Sequence, residues 1–123
     1  MFTLTIKKKW FDMIRDGVKK EEYREIKPYY ETRFQNLFGL VIMEVDDYYE
    51  ILQGEDVPEE IRREPIQEIV FRNGYSPNSP TITAKCRIRL GEGKKEWGAE
   101  EGKRYFVLEI LEVKGIKNGR RNT

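Results

Sequence analysis

Phe2, Leu4 and Ile6 alternate with Thr3 and Thr5, and this period of two predicts a strand over Phe2–Ile6 with one buried face. The period then changes. From Lys8 to Asp16, Trp10, Met13, Ile14 and Phe11 fall at helical spacing, and Gly17 suits the left-handed position that ends a helix. A second strand follows over Glu21–Ile26. Pro28 reads as the first residue of a helix reaching Phe38, with Tyr30, Phe34, Leu37 and Phe38 recurring along one face.

The stretch from Gly39 to Pro65 is less regular. Leu40–Val45 is compatible with a buried strand or a helix start, because a short apolar run does not decide by period. We read it as a strand, followed by a helix around Asp47–Leu52 and a polar loop over Gln53–Arg63 with a short turn at Pro58–Ile61. The C-terminal half is β. Ile66–Arg72 forms a strand ended by Asn73-Gly74, and the run from Ser76 to Pro80 has turn composition. Over Thr81–Leu90 the residues Ile82, Ala84, Cys86, Ile88 and Leu90 take one face and Lys85, Arg87 and Arg89 the other. An irregular, glycine-rich excursion around Trp97 leads to a last strand over Tyr105–Val113, apolar on both faces and so suited to a central position. The expected fold is α+β, a closed or nearly closed β-barrel of five to six strands with two or three helices.

At 123 residues the chain is one domain, expected over 1–113, with a flexible basic tail over 114–123. Lys and Arg number 23 against 22 acids, so net charge supplies no argument for nucleic-acid binding; segregation would have to supply one. Lys7-Lys8-Lys9, the tail and the Lys85, Arg87, Arg89 stripe are the candidates, with solvated faces and edge-strand protection as the plainer explanations. The absence of His removes His-dependent nucleophile systems and His-ligated metals, and a single Cys makes neither a disulfide nor a Cys-rich zinc site. No metal or cofactor is expected. No apolar run approaches the roughly 20 residues that span a bilayer. Lys7 ends the first apolar stretch before a signal peptide could form, so a cytoplasmic location is expected and a membrane partner is not.

Candidate chemistry concentrates in Gly17-Val18-Lys19-Lys20-Glu21-Glu22-Tyr23-Arg24. On a regular strand Glu22 and Arg24 share a face, whereas Lys19, three residues earlier, falls opposite. The three charges converge only if Lys19 is still in the turn after Gly17, or if the strand is bulged. Together they could hold an anion, polarise a carbonyl or grip a phosphate. A salt-bridged strand on a charged surface is the alternative.

The order Gly-x-Lys-x-x-Glu-x-Arg, after a strand and a helix, resembles the signature of the ASCH domain, a small β-barrel domain related in fold to the RNA-binding PUA domains. Phe71-Arg72-Asn73-Gly74-Tyr75, Trp97-Gly98 and Tyr105-Phe106-Val107-Leu108 extend the resemblance to small bacterial and phage-borne members. It implies RNA or nucleotide binding through the cleft that holds the motif. One bacterial branch removes the acetyl group from N4-acetylcytidine with a motif Lys and Thr and a Glu from elsewhere, and some members have been described as ribonucleases. The Lys of that branch falls on Lys19 and its Arg on Arg24. Its Thr is replaced by Glu22, which can act as a base or orient water but cannot form the same acyl intermediate.

Aromatic residues add a second signal. Tyr23, Tyr29, Tyr30, Tyr75, Trp97 and Tyr105 are candidates to line a pocket and stack on a base, or else are core. Tyr75 and Trp97 stand out because both are in loops beside Gly. The leading reading is an RNA- or nucleotide-binding module whose ligand-binding residues are Gly17, Lys19, Glu22, Tyr23, Arg24, Tyr75 and Trp97. The alternative is a small hydrolase of a modified nucleoside or RNA, with Lys19 and Glu22 catalytic. A protein-interaction domain is the third. Oligomeric state is left open by the sequence.

Overall fold

The computed structural model describes residues 2–38 and 66–119. The elements run β1 (Thr3–Thr5), α1 (Lys8–Arg15), β2 (Glu21–Glu25), α2 (Pro28–Phe38), β3 (Ile66–Arg72), β4 (Thr81–Glu92), a single 3-10 turn (Lys95–Trp97) and β5 (Arg104–Lys117). The expected strand at Leu40–Val45, the helix at Asp47–Leu52 and the turn at Pro58–Ile61 lie outside the described residues.

The strands form one sheet in the order β1-β3-β4-β5-β2. Among the described residues only the β1–β3 pair is parallel; the other neighbours are antiparallel. Among the described residues no pairing joins β1 to β2, so the sheet is a curled half-barrel with two helices. Register shifts between Thr83 and Ala84 and between Lys85 and Cys86 break the long β4–β5 ribbon. Such irregularities add bend and twist to a ribbon and help it curl.

The interior is filled as the alternation requires. Ile82, Ala84, Cys86, Ile88 and Leu90 are buried and join Phe106 and Leu108 of β5 in the main core. Burial pushes the Cys86 thiol up to about 12. Phe34 of α2 meets Phe106 edge-on at 5.1 Å and Phe2 at 5.7 Å, which ties the second helix to β5 and to the residue before β1. A smaller cluster of Tyr23, Ala99, Tyr105 and Val107, with Trp97 packed against it, covers the other face of the β2–β5 pair.

Two expectations change. β5 continues through Lys117, which pairs with Thr81, so the first residues of the expected tail are strand. β4 lies between β3 and β5, so its outward Lys85, Arg87 and Arg89 are not guarding an edge. They face acids instead: Lys85 is opposite Glu68 and Glu112, and Arg87 is opposite Glu109. Charge along the stripe is thereby balanced across the strands.

Candidate functional site

Gly17 sets the site's geometry. At φ 75° it leaves α1 in the left-handed region, and the Val18 and Lys19 amides both turn back to the Met13 carbonyl. Lys19 is therefore still in the turn when β2 begins. From there its ammonium meets the carboxylate of Glu22, Nζ to Oε1 3.7 Å, and the Arg24 guanidinium lies 3.9 Å from Oε2. The three charges of the motif converge.

Their position is unusual for charges. Glu22 pairs with Leu108 and Arg24 with Phe106, and both partners belong to the main core. A carboxylate and a guanidinium thus occupy inward-facing positions of an edge strand. The side chain of Lys19 is 0% exposed, that of Glu22 8% and that of Arg24 17%.

Each charge is held differently. Lys19 donates to the Trp97 carbonyl at 2.6 Å and lies 4.9 Å from the ring centroid of Trp10 and 4.8 Å from that of Tyr23. Burial pushes its ammonium below the ordinary lysine value, and the charge on Glu22 partly offsets this. Oε1 of Glu22 accepts the Tyr23 amide at 2.9 Å. Oε2 accepts no hydrogen bond among the described residues, since Arg24 at 3.9 Å is beyond reach. Arg24 donates to the Thr5 carbonyl at 3.2 Å and so bridges the gap between β2 and β1. Its Nε is buried without a partner among the described residues.

A cavity of about 700 Å³ opens at this gap. Glu22, Tyr23, Arg24 and Glu25 all line it, so it straddles the edge of β2 that no described strand pairs. Trp10, Tyr30, Tyr75, Trp97 and Tyr105 add aromatic rings to the lining. Lys7, Lys27 and Lys103 contribute cations, and Glu100 joins Glu25 as a further acid.

The loops that bring the aromatics are pinned. Lys94 donates its amide to the Tyr23 hydroxyl, which itself donates to Glu21, fixing the start of the Trp97 turn. Burial holds the Tyr23 phenol well above its ordinary value. At Gly98, with φ 102°, a Cβ would come within 2.9 Å of the Trp10 ring, so only glycine lets helix α1 seat its indole there. Asn73 donates to the Ile6 carbonyl at 3.0 Å and Arg72 to the Gly74 carbonyl at 2.8 Å. The backbone before Tyr75 is held, yet Tyr75 itself is 87% exposed. An exposed ring at a cavity mouth on a fastened loop is available for stacking.

Of the candidate residues, Glu22, Tyr23, Arg24, Tyr75 and Trp97 line the cavity. Gly17 and Lys19 are not among the described residues that do; they act from behind, Gly17 through the turn and Lys19 through Glu22 and the Trp97 carbonyl. Tyr29 is turned away, with the Arg33 guanidinium 3.4 Å over its ring. Lys7 of the basic run reaches the cavity, whereas Lys8 pairs with Asp12 and Lys9 lies over Trp10. Trp10, Asn73, Lys27 and Lys103 are additions. Trp10 read only as helix core, Asn73 only as a strand end within a stretch that extends the resemblance, and nothing local in the sequence marks Lys27 or Lys103.

No family model, curated protein or solved structure matches this chain. Among the described residues no helix is long and apolar enough to cross a membrane, and no cluster of metal-ligating side chains occurs.

Proposed function

We propose that this domain binds RNA or a nucleotide in the cavity beside β2, as an ASCH-like, PUA-like module. The observation that carries the reading is the juxtaposition of the incompletely satisfied Arg24 guanidinium with the exposed ring of Tyr75 in one cavity. A guanidinium with a spare donor suits phosphate or a base edge. Aromatic rings suit a nucleobase face, and lysines at the same opening suit the backbone.

Binding is favoured over hydrolysis by the burial of Lys19. Its ammonium is committed to the Trp97 carbonyl and screened by two rings, leaving no path to a substrate in the cavity. Glu22 keeps an oxygen that accepts no hydrogen bond among the described residues, so a base acting through water is the hydrolytic role left to test. The test is affinity for short single-stranded RNAs at two salt concentrations, with product formation followed in parallel. Saturable binding that weakens with salt, without turnover, is the expected result. Turnover would support the hydrolase, and no binding at either salt would sink the proposal.

A further inference from the structure

Resting on that reading, we infer that the floor of the cavity takes the hydrogen-bonding edge of a nucleobase, with the phosphate left at the lysine-bearing rim. What the floor offers a ligand decides this. Lys19 is spent behind the wall, so of the charged lining residues those at core-facing positions of β2 are Glu22 and Arg24, one anion and one cation. Among the described residues Oε2 of Glu22 is an acceptor with no donor, and the Arg24 guanidinium, with one hydrogen bond to Thr5 and a buried Nε left unpaired, has donors to spare. A neutral ring edge carrying an N–H beside an sp² nitrogen or oxygen satisfies both. A phosphate satisfies only Arg24 and places its charge against a carboxylate whose side chain is 8% exposed. Lys7 and Lys27 also line the cavity, exposed and in no ion pair among the described residues, and give the phosphate an alternative, whereas Lys103 lies 3.7 Å from Glu25.

The polarity of the floor is fixed by the backbone. Because Oε1 accepts the Tyr23 amide at 2.9 Å, the oxygen of a Gln at position 22 would be held there. Its NH₂ would then take the place of Oε2, facing both the ligand and the Arg24 guanidinium. Glu22→Gln therefore turns the free acceptor into a donor and reverses what the floor can read.

Calorimetric titration of the full chain with the four ribonucleosides, their 5′-monophosphates, ribose 5-phosphate, inorganic phosphate and a short RNA tests the inference. At least one nucleoside should bind within about tenfold of its own monophosphate, since the rim phosphate adds only a screened charge interaction. Ribose 5-phosphate and inorganic phosphate should not bind. Glu22→Gln, confirmed folded by its circular dichroism, should weaken that nucleoside by about 10–100-fold, the discrimination expected of a good base-edge contact. Nucleosides silent while nucleotides or RNA bind, phosphate binding alone, or an affinity gain in Glu22→Gln would each overturn the base-inward arrangement and leave the nucleotide-binding reading standing. Silence from every compound would overturn both. The wild-type series decides the matter even if the variant does not fold.

Discussion

Arg89 and Arg24 come from strands on either side of β5, and their surroundings differ in what they leave undone. Arg89 donates to Glu21 at 2.8 Å and its Nε lies 2.9 Å from Glu109, on the outward face of the sheet. Among the described residues Arg24, on the inward face, has its nearest carboxylate oxygen at 3.9 Å and an Nε with no partner. The side chains are 27% and 17% exposed, so burial alone does not separate them. Satisfaction does. Close pairs on a wetted face are complete as they stand and have no valence left for a ligand. Loosely paired charges at the mouth of a half-barrel retain a donor and an acceptor whose desolvation has been incurred without full return. Of two charged clusters in one small domain, the incompletely paired one is the candidate site.

The largest break in this comparison should come from Lys19→Met. The substitution keeps the volume but leaves the Trp97 carbonyl without its donor and Glu22 without its nearest cation, in a place that is 0% exposed. Removing one partner of a buried pair costs about 3–5 kcal/mol, and urea denaturation should show a loss of that order. A loss under about 1 kcal/mol would mean that the ammonium does not organise the site.

Arg24→Met comes next, and its effect should fall on binding. With Nε unpaired and a single hydrogen bond to Thr5, the guanidinium contributes little to the fold. A charge-assisted hydrogen bond to a ligand is worth about 1.5–3 kcal/mol, and the affinity for RNA should drop by that amount. Titration beside the wild type measures it. An unchanged affinity would remove Arg24 from the site.

Much of this division could be read from the chain. Parity put Glu22 and Arg24 on one face, Gly17 allowed Lys19 to stay in the turn, and the alternation through Cys86 oriented β4 correctly. Long, regular elements declare themselves because their pattern repeats. The rest depended on tertiary neighbours. That Lys19 would end behind the wall follows from the Trp97 carbonyl, 78 positions away in sequence. That the Lys85, Arg87, Arg89 stripe would be balanced follows from Glu68, Glu109 and Glu112 arriving on adjacent strands. Trp10 has the same helical spacing whether it packs into a core or roofs a buried lysine. The extension of β5 to Lys117 was hidden because its distal residues are exposed and lose the apolar signature of a strand.

The pH dependence should sharpen the contrast from another side. Burial lowers the folded-state value of Lys19 below the ordinary 10.5, so between those two values the unfolded chain binds more protons than the folded one. Stability contributed by this group therefore rises as pH climbs through that window, and is lost as pH falls back through the folded value. The slope is bounded at about 1.4 kcal/mol per pH unit for one proton. The measurement is the denaturation free energy of wild type minus that of Lys19→Met from neutral pH to 10.5. A difference that stays flat over that range would contradict the burial-driven shift.

The smallest effect is assigned to Arg89→Met, which removes the two shortest arginine pairs of the outward cluster. Both carboxylates it leaves behind, Glu21 and Glu109, have routes to water, at 16% and 31% exposure, and Glu21 also accepts the Tyr23 hydroxyl. Partly exposed pairs are screened, and their net contribution is about 1 kcal/mol or less. Stability should fall by no more than that, with the fall shrinking in high salt, and RNA affinity should be unaffected because Arg89 does not line the cavity. Shorter distances thus accompany the weaker consequence. A binding defect in Arg89→Met equal to that of Arg24→Met would show that the outward stripe, not the gap beside β2, is where the ligand lies.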